Sequence, residues 1–139
     1  MKSLAARALL FAVLPMVAFT ALAADIHVKL TGAEEVPAVT TQASGTGTIT
    51  VNDDKSVSGS VKTQGIEGIA AHIHLAPVGK NGPPIIPLEQ TSPGVWSVPD
   101  GATLTDEQYA AFKAGELYVN VHSVAHKPGE IRAQLKPKS

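Results

Sequence analysis

Six stretches of this chain alternate apolar and polar residues one for one, and that period restricts the fold more than any other feature. Ile26–Leu30, Thr46–Val51, Val57–Lys62, Ala71–Leu75, Leu117–His122 and Ile131–Leu135 each read this way. A period of two puts successive side chains on opposite faces of a strand, so each stretch has one face for a core and one for something polar. Ile85–Leu88 and Val95–Val98 are shorter candidates. Most of the 12 glycines and 10 prolines fall between these runs as turn signals, with Asn52-Asp53-Asp54-Lys55 as a hairpin turn. Gly45, Gly47 and Gly59 sit inside strands, where glycine marks a bulge or a close backbone approach. The pattern predicts an all-β chain, an antiparallel Greek-key-like sandwich or barrel. One helix interrupts it. Thr105-Asp106-Glu107-Gln108 is a capping box, helical spacing continues to Ala114, and Gly115 supplies the stop. This helix is expected to plug one end of the barrel as a crossover.

The first 23 residues do not belong to that pattern. Lys2 and Arg7 precede an apolar run from Ala8 to Phe19, and Ala21-Leu22-Ala23 offers a small-x-small cleavage site. The run is short for a ~30 Å bilayer core and contains Pro15. Residues 1–23 are therefore expected to be a cleaved secretion signal, and residues 24–139 a single exported domain, periplasmic or extracellular, without a transmembrane anchor. Removing Lys2 and Arg7 leaves nine basic against twelve acidic residues, a net charge of −3. That is no footprint for nucleic acid. The chain has no cysteine, and both methionines lie in the signal segment. Disulfides, thiol nucleophiles and sulfur metal ligands are excluded from the mature part.

Four of the five histidines fall in two short clusters. His72 and His74 are two apart in one strand, which points both rings to the same face with Cα atoms about 6.5–7 Å apart. His122 ends another strand on the face opposite its apolar residues, and His126 follows in the turn before Pro128-Gly129. An imidazole set without sulfur suits Cu(II) or Zn(II). Tyr118 and Asn120 share a face with His122, and Glu130, Arg132 and Gln134 share a face of the last strand. If these strands are neighbours, the residues form one polar surface on which Glu130 can orient an imidazole. The plain alternative is a structural polar cluster with Glu130 and Arg132 as an ion pair. His27, alone among alternating residues, reads as surface, and Trp96 as core. No nucleophile elbow, P-loop or zinc-protease motif is present. The adjacent pairs Glu34-Glu35 and Asp53-Asp54 point their members apart and make no acid–base dyad. The Lys136–Ser139 tail reads as a solvated terminus.

Taken in order, these segments resemble the CHRD domain, the module named after the secreted protein chordin and common in bacterial exported proteins. The likeness runs through Leu30-Thr31-Gly32 with Glu35-Val36-Pro37, then Ser44-Gly45-Thr46-Gly47, then Ala71-His72-Ile73-His74 with Gly79-Lys80-Asn81-Gly82-Pro83. It closes with Gly115 to His122 and Pro128 to Leu135. The family pattern has Gly where this chain has Ala133, a departure that concerns backbone and not the histidines. The resemblance implies a single β-rich extracellular domain and no settled activity. His72, His74, Asn120, His122, Glu130 and Arg132 match its motif positions, and His126 falls outside them. A fainter likeness, to copper-zinc superoxide dismutases, lies in the order of an H-x-H strand, a later histidine and an arginine near the C-terminus; their zinc loop and disulfide are missing here.

The expectation is a non-enzymatic binding module for Cu(II) or Zn(II), with His72, His74 and His122 as ligands and His126 as a candidate fourth. The alternatives are a protein–protein or matrix interaction domain with structural histidines, and a copper enzyme acting on superoxide with Arg132 steering the anion.

Overall fold

The computed structural model describes residues 10–16 and 24–138. Residues 10–16 are exposed and in no helix or strand; the rest of the expected signal segment and the terminal Ser139 lie outside the described residues. Nine strands follow: β1 (Ala24–Thr31), β2 (Ser44–Val51), β3 (Val57–Gln64), β4 (Gly68–Leu75), β5 (Pro84–Pro87), β6 (Glu89–Ser92), β7 (Val95–Ser97), β8 (Leu117–Ser123) and β9 (Ile131–Leu135). Among the described residues one α-helix, α1, spans Asp106–Lys113 between β7 and β8.

All pairings are antiparallel, and the strands form one sheet in the order β5-β4-β8-β9-β1-β2-β3-β7-β6. Its two outer strands, β5 and β6, are consecutive in the chain. Pro84–Pro87 pairs with β4, the Leu88 amide donates to the Ala71 carbonyl at 2.9 Å, and Glu89–Ser92 then pairs with β7. One extended segment thus joins both ends of the sheet and nearly closes it into a barrel, which leaves little unpaired edge. The jump from β3 to β4, across four intervening strands, gives the Greek-key character.

The alternating apolar residues fill the barrel. Ile26, Val28, Leu30, Ile49, Val61, Ile73, Trp96, Leu117, Val119, Val121, Ile131 and Leu135 are buried in a single cluster. The β2–β3 register is unbroken, so Gly47 and Gly59 are not bulges. A Cβ at either would collide with the facing carbonyl, of Ser60 or Thr48. Helix α1 begins at the expected capping box, with the Gln108 amide donating to Thr105 Oγ1 at 3.1 Å. It puts Phe112 into the core and ties to the β2–β3 turn through the Lys55–Asp106 ion pair. His27 is exposed and Trp96 is core.

One face departs from the alternation. Every residue of β8 except His122 is buried, although Tyr118 and Asn120 lie opposite its apolar side chains. The same holds for Arg132 on β9. The cause lies in two connections that cross this face, residues 32–43 between β1 and β2 and residues 76–83 between β4 and β5. The second is pinned by side-chain hydrogen bonds. Arg132 donates to Asn81 Oδ1 and to the Pro77 carbonyl, Gln134 donates to the Ala76 and Gly115 carbonyls, and Asn81 donates to the Val36 carbonyl. A second layer is built on polar side chains, and the histidines sit at its margin.

Candidate metal centre

β4 and β8 are neighbours, with His72 opposite Asn120, His74 opposite Tyr118 and Ala70 opposite His122. The pleat points His72 and His74 to one face, and the register brings His122 beside them. Ring centroids lie 5.0 Å apart for His72–His122, 5.5 Å for His72–His74 and 5.7 Å for His74–His122. One nitrogen from each ring lies within 4.8 Å of the other two. His74 is buried, while His72 and His122 are half-buried, so the trio opens to solvent on one side.

Hydrogen bonds decide which nitrogens are free. His74 Nδ1 lies 2.9 Å from the Gly82 carbonyl and His122 Nδ1 lies 2.7 Å from the Lys127 carbonyl. A carbonyl only accepts, so both Nδ1 atoms carry the proton, and in a neutral ring Nε2 is then a bare lone pair. His122 Nε2 lies 3.1 Å from His72 Nδ1 and accepts from it. His74 Nε2 is buried without any hydrogen-bond partner. Burial, with the charge of His122 adding to it, holds His72 below the usual imidazole range. Burial does the same to His74, against the opposing pull of the Gly82 carbonyl. At neutral pH these are neutral rings, the form that ligates a metal.

His74 stacks on Tyr118, with rings 3° from parallel and 4.7 Å between centroids. The Arg132 guanidinium lies 3.4 Å from the centre of the Tyr118 ring. Because β8 lies between β4 and β9, the phenol is held between imidazole and guanidinium, and the Tyr118 hydroxyl accepts from the Gly82 amide at 3.2 Å. The stack and the Gly82 bonds together fix the plane of His74.

A family model of the CHRD domain matches residues 26–135. The chain belongs to the CHRD domain family. Searches of curated proteins and of solved structures return no match. The CHRD match runs from β1 to the end of β9 and so takes in all three strands, β4, β8 and β9, that build this polar layer.

Within the CHRD domain the other expected site residues separate. Asn120 and Arg132 are each 1% exposed and lie in the covered layer. Glu130 hydrogen-bonds to no histidine and pairs with no cation among the described residues: its carboxylate accepts from Thr41 and from Ser123, each at 2.7 Å. The polar surface expected from the strand pattern is therefore an interior layer, and Glu130 anchors the 32–43 connection instead of orienting a ring. His126 stands apart from the trio and lines a cleft of about 150 Å³ with Glu35, Val36, Pro37, Val39, Pro128 and Gly129. Its main chain shapes the turn that presents the Lys127 carbonyl to His122.

Glu35 is the residue that strand reasoning passed over. It is 6% exposed, and burial raises its carboxyl to about 7, against the smaller opposing effects of the Asn120 amide and the Arg132 charge. Its neighbour Glu34 is exposed, as pairs pointing apart should be. Glu35-Val36-Pro37 stood out only through the family motif, since no local periodicity marks a side chain buried from a loop.

Proposed function

We propose that this CHRD domain is an exported metal-binding module in which His72, His74 and His122 hold Cu(II) or Zn(II). The observation that carries the reading is the arrangement of lone pairs. Two backbone carbonyls hold the Nδ1 protons of His74 and His122, leaving Nε2 atoms aimed into a common space, one of them buried and unpartnered. An isolated buried acceptor costs roughly 1–3 kcal/mol, a cost that a bound cation reverses. Three neutral nitrogens without sulfur match Cu(II) and Zn(II) better than the hard cations. Nitrogens that share one ion at ~2.0–2.1 Å are at most about 4.2 Å apart, so loading draws the half-buried rings of His72 and His122 slightly inward. His72 would offer Nδ1 as its ligand atom in the tautomer that carries the proton on Nε2.

The experiment is calorimetric titration of the metal-free protein with Cu(II) and Zn(II). The expected result is one-to-one binding at micromolar affinity or tighter, abolished in His72→Ala and His122→Ala. Heat from weak surface association alone sinks the proposal.

Export is part of the same reading. It is supported by the charge and cleavage pattern of residues 1–23, and by Leu10, Phe11, Val13, Leu14 and Met16 standing exposed outside the barrel. Recovery of a chain beginning at Ala24 from the periplasm or medium tests it; a chain retaining residues 1–23 in the cytoplasm overturns it.

A second reading has an observation of its own. The His72–His122 hydrogen bond and the two carbonyl bonds tie β4, β8 and their loops together without any ion, as in an interaction domain with structural histidines. On that reading His72→Ala destabilises the metal-free protein and changes nothing else. The superoxide reading draws no support from Arg132, which is 1% exposed, covered by residues 76–83 and stacked on Tyr118. A guanidinium so enclosed does not meet an incoming anion.

A further inference from the structure

His74 Nε2 is not the only orphan beside the trio. Asn120 Oδ1 is also buried without a hydrogen-bond partner. Asn120 lies on β8 directly opposite His72, on the same face of the sheet as His74 and His122. An amide can often be turned end for end to satisfy an orphan, but this one is fixed. Its Nδ2 faces the Pro128 carbonyl, which only accepts, at 3.5 Å, and Glu35 Oε1 at 3.4 Å, which only accepts once Glu35 is ionised. Exchanging the ends would set an oxygen against the carbonyl at every pH and against the carboxylate above about pH 7. The backbone makes room for this orientation: Gly129 has φ +132°, and a Cβ there would stand 2.5 Å from both Asn120 Nδ2 and Glu35 Oε1. Asn120 therefore keeps its oxygen on the side of the layer away from Glu35.

Two buried lone-pair atoms on one face of paired strands, each without a donor, are both satisfied by a positive centre placed between them. A hydrogen bond between them is unavailable, because the one ring proton of neutral His74 is committed to Gly82. We infer that Asn120 Oδ1 is the fourth donor of the metal centre, completing a three-nitrogen, one-oxygen set with His72, His74 and His122. The inference rests on the three-histidine reading and extends it. An amide oxygen adds no charge, so the set stays neutral and the bound ion keeps its full double charge. That composition selects a divalent borderline metal over Cu(I), which prefers sulfur. Glu35 and Pro128 are positioning groups in this arrangement; they touch Asn120 and not the ion.

The test uses the full chain and Zn(II) alone. Asn120→Ala should bind Zn(II) at least tenfold more weakly than the unaltered protein, with its fold checked by circular dichroism. The visible spectrum of the Co(II)-loaded form should change, as a purely structural asparagine would not make it do. In the unaltered protein, Zn(II) should move the Asn120 side-chain ¹³Cγ resonance downfield, as carbonyl coordination requires. This last measurement decides the matter if Asn120→Ala fails to fold. Unchanged affinity and Co(II) spectrum in Asn120→Ala, or an unmoved ¹³Cγ resonance in a protein that binds Zn(II), overturns the inference and leaves a three-histidine centre. Failure of the unaltered protein to bind Zn(II) or Co(II) removes both readings together.

Discussion

Glu35 is a carboxyl placed where ionisation is unfavourable, and its environment gives a measurable consequence. Between its unfolded value of 4.5 and its folded value of about 7, the folded chain holds a proton that the unfolded chain has released. Stability contributed by this group is therefore full below 4.5, falls as pH rises through that window and is level above it. Glu35→Gln keeps an acceptor for Asn120 and removes the buried charge. It should stabilise the protein by roughly 1–2 kcal/mol at pH 8 and much less at pH 5, in urea unfolding at the two values. The figure is below the whole of the pKa shift because the adjoining cleft admits solvent. Gly129→Ala should act the other way. A methyl group at φ +132°, aimed at Asn120 and Glu35, should cost about 2 kcal/mol or more in the same measurement.

At the scale of elements, the 76–83 connection is held to the sheet largely by side chains, with the Leu75 amide bonded to the Pro83 carbonyl at its end. Gln134 is its firmest bridge, donating to the Ala76 and Gly115 carbonyls at 2.9 Å each. Gln134→Ala leaves two carbonyls without their donor and should destabilise the domain by ~1–3 kcal/mol. Hydrogen exchange should quicken at Gly82 and Leu75, whose amides bond to the Tyr118 hydroxyl and the Pro83 carbonyl, and stay unchanged in β2 and β3. Uniform quickening would show that the connection does not open as a separate unit. Since Gly82 also holds the Nδ1 proton of His74, loosening this connection should weaken Zn(II) binding as well.

For the whole molecule, acid and metal act in opposite directions on the same balance. His72 and His74 are held below their ordinary value of 6.5. Their contribution is present above 6.5 and is lost as pH falls through the depressed folded values, because the unfolded chain takes up protons there first. Glu35 opposes this trend over part of the range. In Glu35→Gln that opposition is gone, and the stability of the metal-free protein should fall steadily from pH 7 to pH 5. Metal bound only to the folded state should raise the unfolding midpoint with concentration, by about 2.7 kcal/mol at one hundred times the dissociation constant. A midpoint indifferent to Zn(II) and Cu(II) would leave the histidines as strand ties.

What the sequence determined by itself was the local register of the fold. Alternation marks side-chain direction directly, so six strands, the hairpin turn and the inward face of each were legible. The capping box and Gly115 likewise marked α1 from both ends. β6 was not legible, because Glu89-Gln90-Thr91-Ser92 is polar throughout and becomes a strand only by closing the barrel against β7. The His72–His74 pair could be placed on one face from its spacing alone. Its meeting with His122 could not, since it depends on β4 and β8 being neighbours across more than forty residues of chain. The tertiary structure also decided which polar residues lie inside. Arg132, Asn120 and Glu130 alternate as solvent-facing residues do, yet two connections cross that face and bury them. Periodicity reports the side of a strand on which a residue lies; what covers that side is set by chain from elsewhere, and no local pattern encodes it.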